Sequence, residues 1–165
     1  MNSIGSRPGA ITFRLCMMIV LILILVVVFF SYLDETQKNV ERSSIQQTKR
    51  IIDSSLAVVF ATYAVKGRLN DLNEIDGGNP FVFLSEYQMV PPAYQGEIEG
   101  DISSDTPPGW YYLKQRKRVV YRSRFLERDY YFAVAVDYED NNRSGKFESE
   151  SDKFNNLRFI KTAEL

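Results

Sequence analysis

A short polar segment near the carboxyl end has the residue types and spacing of half a calcium loop. Asp140, Asn142 and Ser144 stand two residues apart, and Gly145 follows them. In loops of this kind, side-chain oxygens at positions 1, 3 and 5 converge on the cation and a glycine allows the sharp turn. The pattern predicts calcium as the one candidate cofactor, with Asp140, Asn142 and Ser144 as its ligands.

The second half of the calcium pattern is missing. Position 12, where an acidic residue is expected, is Ser151, although Glu148, Glu150 and Asp152 lie nearby. Asp, Asn, Ser and Gly are also ordinary turn formers. A solvated hairpin loop is therefore the alternative to a calcium site.

A second cluster of chemically active residues is basic. Fifteen consecutive residues contain one acid, Glu127, and seven cations, namely Lys114, Arg116, Lys117, Arg118, Arg122, Arg124 and Arg128. Interleaved tyrosines give the cluster the look of a nucleic-acid surface, but the whole chain has a net charge of −1. We predict that Arg116, Lys117, Arg118 and Arg122 contact a partner protein, and we do not expect nucleic acid. The alternative is a solvated strand pair that faces the acids of residues 97–105.

The chain has few side chains of the types that enzymes use for catalysis. It contains no histidine and one cysteine, Cys16. The commonest general base, the Ser-His-Asp triad and imidazole metal sites are therefore excluded. We expect neither an enzyme nor a small-molecule substrate.

The elements that position these clusters begin with an apolar stretch. Residues from Leu15 to Leu33 carry no charge, with Arg14 before them and Asp34 after them. As a helix these residues cover roughly 28 Å, about the thickness of a bilayer core. The composition predicts a transmembrane helix over residues 15–33 that contacts the lipid bilayer.

The charges that flank this stretch predict its orientation. Arg7 and Arg14 precede it, no acid occurs before Asp34, and the charges that follow nearly cancel. The positive-inside rule therefore predicts a cytoplasmic segment at residues 1–14 and, in a bacterium, a periplasmic location for everything after residue 33.

The helix is expected to continue beyond the membrane. Ile45, Ile52, Leu56, Val59 and Tyr63 recur with helical spacing along residues 34–66. Residues 66 and 67, lysine and glycine, form a typical helix end. The pattern predicts one helix from about residue 12 to residue 66; the alternatives are a hinge near residues 31–36 and a coiled-coil dimer.

The remaining residues, 67–165, are predicted to form a small periplasmic head. Asn79 and Pro80 suit the start of a short helix through Tyr87, and residues 93–109 are expected to form an acidic loop. Aromatic and β-branched residues predict strands at 110–113, 118–122 and 130–138 and a last one around Leu157. Ala133 is expected on the face that the helix covers. The fold class is therefore α+β, a long N-terminal helix packed on a small antiparallel β-meander.

This order of elements resembles type IV pilins and pseudopilins, and most closely the MshF-type proteins encoded with mannose-sensitive haemagglutinin (MSHA) pili. The resemblance covers most of the chain and is carried by three motifs, Gly78-Asn79-Pro80-Phe81, Pro91-Pro92-Ala93-Tyr94-Gln95-Gly96-Glu97, and Gly109-Trp110-Tyr111-Tyr112-Leu113 followed by Val119-Val120-Tyr121. It implies a pilin-like fold and a role in type IV pilus assembly, with pilins or the inner-membrane pilus machinery as partners.

The sequence departs from the pilin pattern at one position. Prepilins have a basic leader that ends in glycine, and a glutamate stands at the fifth mature position. If Gly9 were that glycine, Ala10 would be the new amino terminus and Arg14 would occupy position five. An arginine there would repel the terminal ammonium that the glutamate pairs with in an apolar filament. The resemblance therefore favours an uncut accessory protein over a minor pilin at a filament end; a membrane-anchored periplasmic scaffold or sensor is the alternative from another class.

Overall fold

The computed structural model describes residues 8–86 and 89–163, with side chains from Thr12 onward. The first half of the predicted cytoplasmic segment, residues 1–7, lies outside these residues, as does Tyr87, the predicted last residue of the short helix. The chain divides into two compact units, Met1–Val40 and Glu41–Leu165.

One α-helix, α1, runs without interruption from Pro8 to Val65. The predicted single helix is confirmed, and the structure has no hinge at residues 31–36. Gly67, with φ of +66°, takes the left-handed conformation expected just after a helix end. The Arg68 N–H donates to the Tyr63 carbonyl at 2.9 Å and closes the last turn.

In the first unit the apolar side chains of α1 are exposed. Met17, Leu25 and Phe30 each expose about three-fifths of their surface or more, at 67, 60 and 64 %. Three aliphatic or aromatic side chains in water at this level would be unusual in a soluble helix, whose apolar face is normally covered.

In the second unit one stripe of α1 is buried. Its residues recur every three or four positions and comprise Glu41, Ile45, Thr48, Ile52, Ser55, Leu56 and Val59. This spacing places them on one helix face. The predicted apolar stripe is confirmed, and it begins one turn earlier than predicted, at a buried glutamate.

Two short helices follow α1. A 3-10 helix occupies Leu69–Glu74, and α2 occupies Pro80–Glu86. The Phe81 N–H donates to Asn79 Oδ1 at 3.0 Å, which is the hydrogen bond of a helix N-cap. The predicted start of this helix is confirmed.

Five strands form one sheet in chain order, β1 (Tyr94–Ile98), β2 (Gly109–Leu113), β3 (Arg118–Arg122), β4 (Tyr130–Glu139) and β5 (Lys153–Thr162). From β2 to β5 every neighbour is antiparallel, as the meander predicts. β1 pairs with β2 in parallel, so the sheet is mixed. The fold is α+β.

β1 corrects the prediction that residues 93–109 form only a loop. Its turn-forming glycine, Gly96, lies inside the strand at φ +117°, where the pairing with β2 is irregular. At the other strand, Gly109 has φ of +149°, and a Cβ there would lie 2.6 Å from the Ala93 carbonyl oxygen. The parallel pair therefore depends on a glycine where the two backbones meet.

The sheet face that packs on α1 is aromatic, which corrects the prediction of an alanine face. Phe132 and Val134 are buried together with Ile52 and Leu56, whereas Ala133 is only half-buried. Large side chains on this face bury more apolar area than alanines could, and that favours their placement against the helix.

The opposite sheet face carries a smaller core. Tyr111, Leu113 and Val120 are buried there. Ile98 and Ile102, from β1 and the segment after it, pack over them. The segment after β1 therefore wraps the sheet, as long loops in compact domains often do.

β5 is one of the two edge strands of the sheet, and α1 contacts it. The Phe159 N–H donates to Asp53 Oδ1 at 2.9 Å, across 106 residues of sequence. Lys49, one turn earlier on α1, holds the other carboxylate oxygen of Asp53 at 2.6 Å. A charged side chain thus satisfies a backbone donor on the sheet edge.

Candidate interaction surfaces

Glu41 is buried at the start of the second unit and binds the loop between β3 and β4. Its Oε1 accepts from the Arg124 N–H at 2.7 Å and from Tyr121 Oη at 3.0 Å, and its Oε2 accepts from the Phe125 N–H at 2.9 Å. The side chain is 6 % exposed. Three donors therefore surround a carboxylate that would be costly to bury without them.

The phenol of Tyr121 is affected by this contact. Burial, and then the hydrogen bond and charge of the Glu41 carboxylate, raise the pKa of Tyr121 well above its ordinary value. The phenol remains protonated and donates throughout the physiological range. The two oxygens of the Glu41 side chain accept all three hydrogen bonds.

The loop bound by Glu41, residues 123–129, is also closed internally. The Ser123 N–H donates to Asp129 Oδ1 at 3.0 Å, and Ser123 Oγ lies 2.7 Å from the Leu126 carbonyl oxygen. We call these residues the β3–β4 loop. Its first residues are held on α1 by Glu41, and its two ends are joined by the hydrogen bond between Ser123 and Asp129.

Sequence reasoning missed Glu41 because the polar, charged residues that follow the apolar stretch are typical of a solvated helix surface. The signal that could have found it is its spacing. Glu41 precedes Ile45 by four residues and therefore continues the buried stripe by one turn.

The predicted partner-contact residues divide between two environments. Lys114 Nζ lies 3.2 Å from Glu97 Oε2, and Arg116 pairs with Asp101 at 2.5 Å. Hydrogen bonds from Asn79 and then from Lys114 lower the pKa of Glu97. At this hairpin, therefore, the cations face the acidic segment that sequence reasoning gave as the alternative to a partner.

The other residues of the predicted contact lie along β3 and the turn before it. Arg118 donates to the Ala163 carbonyl at 3.1 Å, and Arg122 donates to the Ser104 carbonyl at 2.7 Å. Lys117 is exposed in the turn, with φ of +50°. The four predicted residues therefore belong to one hairpin but do not converge on one spot.

Two further cations of the basic cluster lie in or beside the β3–β4 loop. The Arg124 guanidinium lies over the ring of Phe125 at 5.3 Å, and that of Arg128 lies over the ring of Tyr130 at 5.7 Å. Lys161, on β5, approaches the same Tyr130 ring at 4.7 Å. Both arginines are exposed, so this end of the head presents cations on aromatic rings.

The predicted calcium ligands lie close together and bind backbone N–H groups. Asp140 accepts from Ser144 N–H at 3.0 Å and from Gly145 N–H at 2.9 Å, while Asn142 Oδ1 accepts from Ser144 N–H at 2.9 Å. Ser144 Oγ donates to the Lys146 carbonyl at 2.9 Å. The loop is closed by its own hydrogen bonds, which a calcium ion on the same oxygens would have to replace.

An acidic side chain on the other side of this loop also accepts hydrogen bonds from its backbone. Asp152, which is buried, accepts from the Asn141 and Glu148 N–H groups at 3.0 and 2.9 Å. Within residues 8–86 and 89–163, no group of three or more His, Cys, Asp or Glu side chains is arranged to hold a metal ion. The calcium prediction stays a prediction.

The apolar part of α1 is the third surface. The described residues contain one helix, Thr12–Val65, that is long and apolar enough to cross a membrane. Arg14 and Leu15 at the start of the apolar stretch are exposed, and Leu33 at its end is half-buried. A helix of this length and composition could span a bilayer once.

A shallow groove of about 420 Å³ lies along α1 in the second unit, and all of its lining residues except Met89 belong to that helix. Ile51, Val58 and Met89 provide its apolar walls, and Arg50 lies at its border. Val58 and Met89 expose 48 and 58 % of their surface. The groove is therefore a second apolar surface, outside the apolar stretch.

The fold and these surfaces define a class: an α+β head assembled on the end of a long helix whose first half is apolar. No protein-family model, no curated protein and no solved structure matches this chain.

Proposed function

We propose that this protein is a pilin-like accessory factor of type IV pilus assembly, of the MSHA type, that acts through protein–protein contacts. The observation that carries the proposal is the single helix α1, whose apolar first half is exposed and whose second half forms the core of a small β-sheet head. A helix shared in this way between a membrane and a head is what a pilin-like protein requires.

In this proposal α1 crosses the bacterial inner membrane once. Residues 1–14 are cytoplasmic and the head is periplasmic, as the excess of positive charge before the apolar stretch favours. The exposed apolar side chains between Leu15 and Leu33 contact lipid and the helices of assembly proteins or pilins. The groove at Ile51 and Val58 and the basic hairpin at Lys117 offer further contact surfaces outside the membrane.

Arg14 favours an accessory factor over a filament subunit. It is exposed at the border of the apolar stretch. In a filament core it would be a buried cation beside another positive charge, which is strongly unfavourable. We infer that the chain keeps its amino-terminal segment and remains in the membrane.

Deletion of the gene tests the assembly role. We expect surface pili to be lost while the major pilin still accumulates in the membrane, because an assembly contact is missing and not the subunit itself. Pili in normal number on the deletion strain would overturn the proposal. A strain complemented with the Lys117→Glu chain shows whether the hairpin takes part.

Intact-mass measurement on the native protein separates the accessory factor from the minor pilin. The expected mass is that of a chain that still carries the residues before Ala10. A protein that begins at Ala10 would favour the second candidate, a minor pilin at a filament end.

A membrane-anchored periplasmic scaffold or sensor is the candidate from another class, and the same helix and head would serve it. Pilus ATPase and prepilin genes beside this gene would favour pilus assembly. An unrelated neighbourhood together with unchanged piliation would favour the scaffold.

A further inference from the structure

One end of the head carries a patch of cations on aromatic rings, which we call the basic-aromatic patch. It is formed by Arg124, Phe125, Arg128, Tyr130 and Lys161, with ring-to-cation distances between 4.7 and 5.7 Å. Arg124, Arg128 and Lys161 are exposed, and the two rings are half-buried.

The three cations of the patch have no ion pair among residues 8–86 and 89–163. Asp129 forms an ion pair with Arg122 at 3.6 Å and accepts a hydrogen bond from the Ser123 N–H. The other acid of the loop, Glu127, is exposed. The patch therefore keeps a surplus of positive charge for a partner.

Glu41 lies against this loop without neutralising it. Both of its carboxylate oxygens accept backbone N–H groups, those of Arg124 and Phe125, at 2.7 and 2.9 Å. The Arg124 guanidinium is left over the Phe125 ring. The contact anchors the loop to α1 and leaves the arginine charge exposed.

The small number of residues between Leu33 and Glu41 keeps Glu41 near the end of the apolar stretch. Glu41 follows Leu33 by eight residues. Eight residues cover about 12 Å as a helix and at most about 28 Å when fully extended. This bound follows from the number of residues alone. The loop held by Glu41 therefore stays within reach of the surface of any membrane in which residues 15–33 are embedded.

We propose that the basic-aromatic patch binds the phosphate headgroups of anionic phospholipids in the membrane that α1 crosses; the proposal rests on that membrane span. Aromatic rings with a polar edge or a bound cation favour the headgroup level of a bilayer, and exposed arginines and lysines are attracted to its anionic lipids. The head is then held on the bilayer surface by a second contact besides α1.

The test uses the full chain in lipid vesicles with single fluorescent labels. On a Cys16→Ser background, Glu127→Cys labels the β3–β4 loop, and Ser149→Cys labels the loop at the other end of the ten-residue strand β4. Leu25→Cys labels the apolar stretch. The vesicles are phosphatidylcholine with or without phosphatidylglycerol. Spin-labelled headgroups quench a label near the bilayer surface, at 127 or 149, and spin-labelled acyl chains quench a label at 25 inside the hydrocarbon core.

We expect the label at 127 to be quenched, and more strongly with phosphatidylglycerol, while the label at 149 is not. In Arg124→Gln/Arg128→Gln the gain from phosphatidylglycerol should fall about fivefold for each lost charge. Arg143→Gln/Lys146→Gln removes the same charge beside the 149 label and should leave quenching at 127 unchanged. Emission of Trp110, which is 1 % exposed, confirms that each variant is folded.

Each contrary outcome has a separate meaning. Quenching at 25 without quenching at 127 overturns the headgroup contact and leaves the membrane span standing. Quenching at 127 that is insensitive to phosphatidylglycerol or to the two arginines also overturns it, because the loop would then lie near the bilayer without recognising anionic headgroups. A label at 25 that is not quenched removes the membrane span, and with it both proposals.

Discussion

Tyr121 donates a hydrogen bond of 3.0 Å to Glu41, eighty residues earlier in the chain. The same carboxylate also accepts two N–H groups of the β3–β4 loop. A strand end, a loop and a helix thus meet on one buried side chain. The packing of the head on α1 is therefore determined by polar contacts at this end, in addition to the apolar core.

Replacement of Glu41 should destabilise the head strongly. Glu41→Ala leaves the Arg124 and Phe125 N–H groups without an acceptor, which we expect to lower the free energy of unfolding by about 3 kcal/mol. Glu41→Gln keeps one acceptor oxygen and should cost less. Urea unfolding of the detergent-solubilised chain, followed by Trp110 fluorescence, measures both.

Two substitutions serve as controls for Glu41. Tyr121→Phe removes one of its three hydrogen bonds and should cost about 1 kcal/mol. Glu127→Ala removes an exposed acid of the same loop and should change stability by less than about 0.5 kcal/mol. Equal stability of the Glu41→Ala and Glu127→Ala variants would show that the Glu41 contact does not hold the loop.

The raised pKa of Tyr121 predicts a loss of stability at alkaline pH. The phenol of the folded chain keeps its proton to a higher pH than that of the unfolded chain, which releases it near pH 10. The unfolded state therefore binds fewer protons above that pH, and stability falls as the pH rises. Below about pH 10 this contribution is complete.

Urea unfolding between pH 8 and pH 11, read with the same fluorescence, measures this slope on an order-of-magnitude scale. Tyr121→Phe should reduce it without removing it, because burial also raises the pKa of Tyr94, Tyr111, Tyr112 and Tyr138. An unchanged slope in Tyr121→Phe would contradict the assignment to this phenol.

Gly109 should not tolerate a side chain. With φ of +149° and the Ala93 carbonyl oxygen 2.6 Å from a Cβ, Gly109→Ala forces β1 away from β2. We expect a loss of roughly 3 kcal/mol from strain and displaced backbone. Thermal unfolding measures the loss, and Gly100→Ala, where no atom lies within 4 Å of the added Cβ, is the matched control.

The loop at Asp140 should be ordered by its own hydrogen bonds. In EDTA, Asp140→Ala removes the acceptor of the Ser144 and Gly145 N–H groups. We expect roughly tenfold faster amide hydrogen exchange in residues 141–147. Unchanged exchange in EDTA would contradict closure by Asp140.

Calorimetry with millimolar calcium then tests the predicted cation site. Heat that the wild-type chain gives and Asp140→Ala lacks would support calcium at Asp140, Asn142 and Ser144. No heat from either chain would dismiss it.

The long helix and the strands β2 to β5 were predictable because their signals are local. The apolar stretch from Leu15, the spacing of Ile45 and Ile52, and the aromatic residues of β2 each depend on neighbours in sequence. The N-cap at Asn79 was predictable for the same reason. In each case side-chain type and spacing alone decide the local structure.

Features that depend on distant pairing were not predictable. β1 lies in a segment of glycine and acidic residues with weak strand propensity, and its parallel register depends on the path of the chain through Gly109. The hydrogen bonds of Glu41 come from backbone N–H groups that lie more than eighty residues later in the chain. Which face of β4 meets α1 was predicted wrongly at Ala133, because period-two alternation identifies two faces but not which one is covered.

Asp53 has a consequence for growth of the sheet. An incoming strand from any other chain would need the outward N–H groups of β5, and at Phe159 that donor is already bonded to a carboxylate on the protein's own helix. Strand addition there must first displace a charged side chain, which is one way in which native sheets resist fibril formation. At this edge, copies crowded in one compartment are therefore expected to meet through side chains, which discriminate between neighbours, and not through backbone, which any sequence can match.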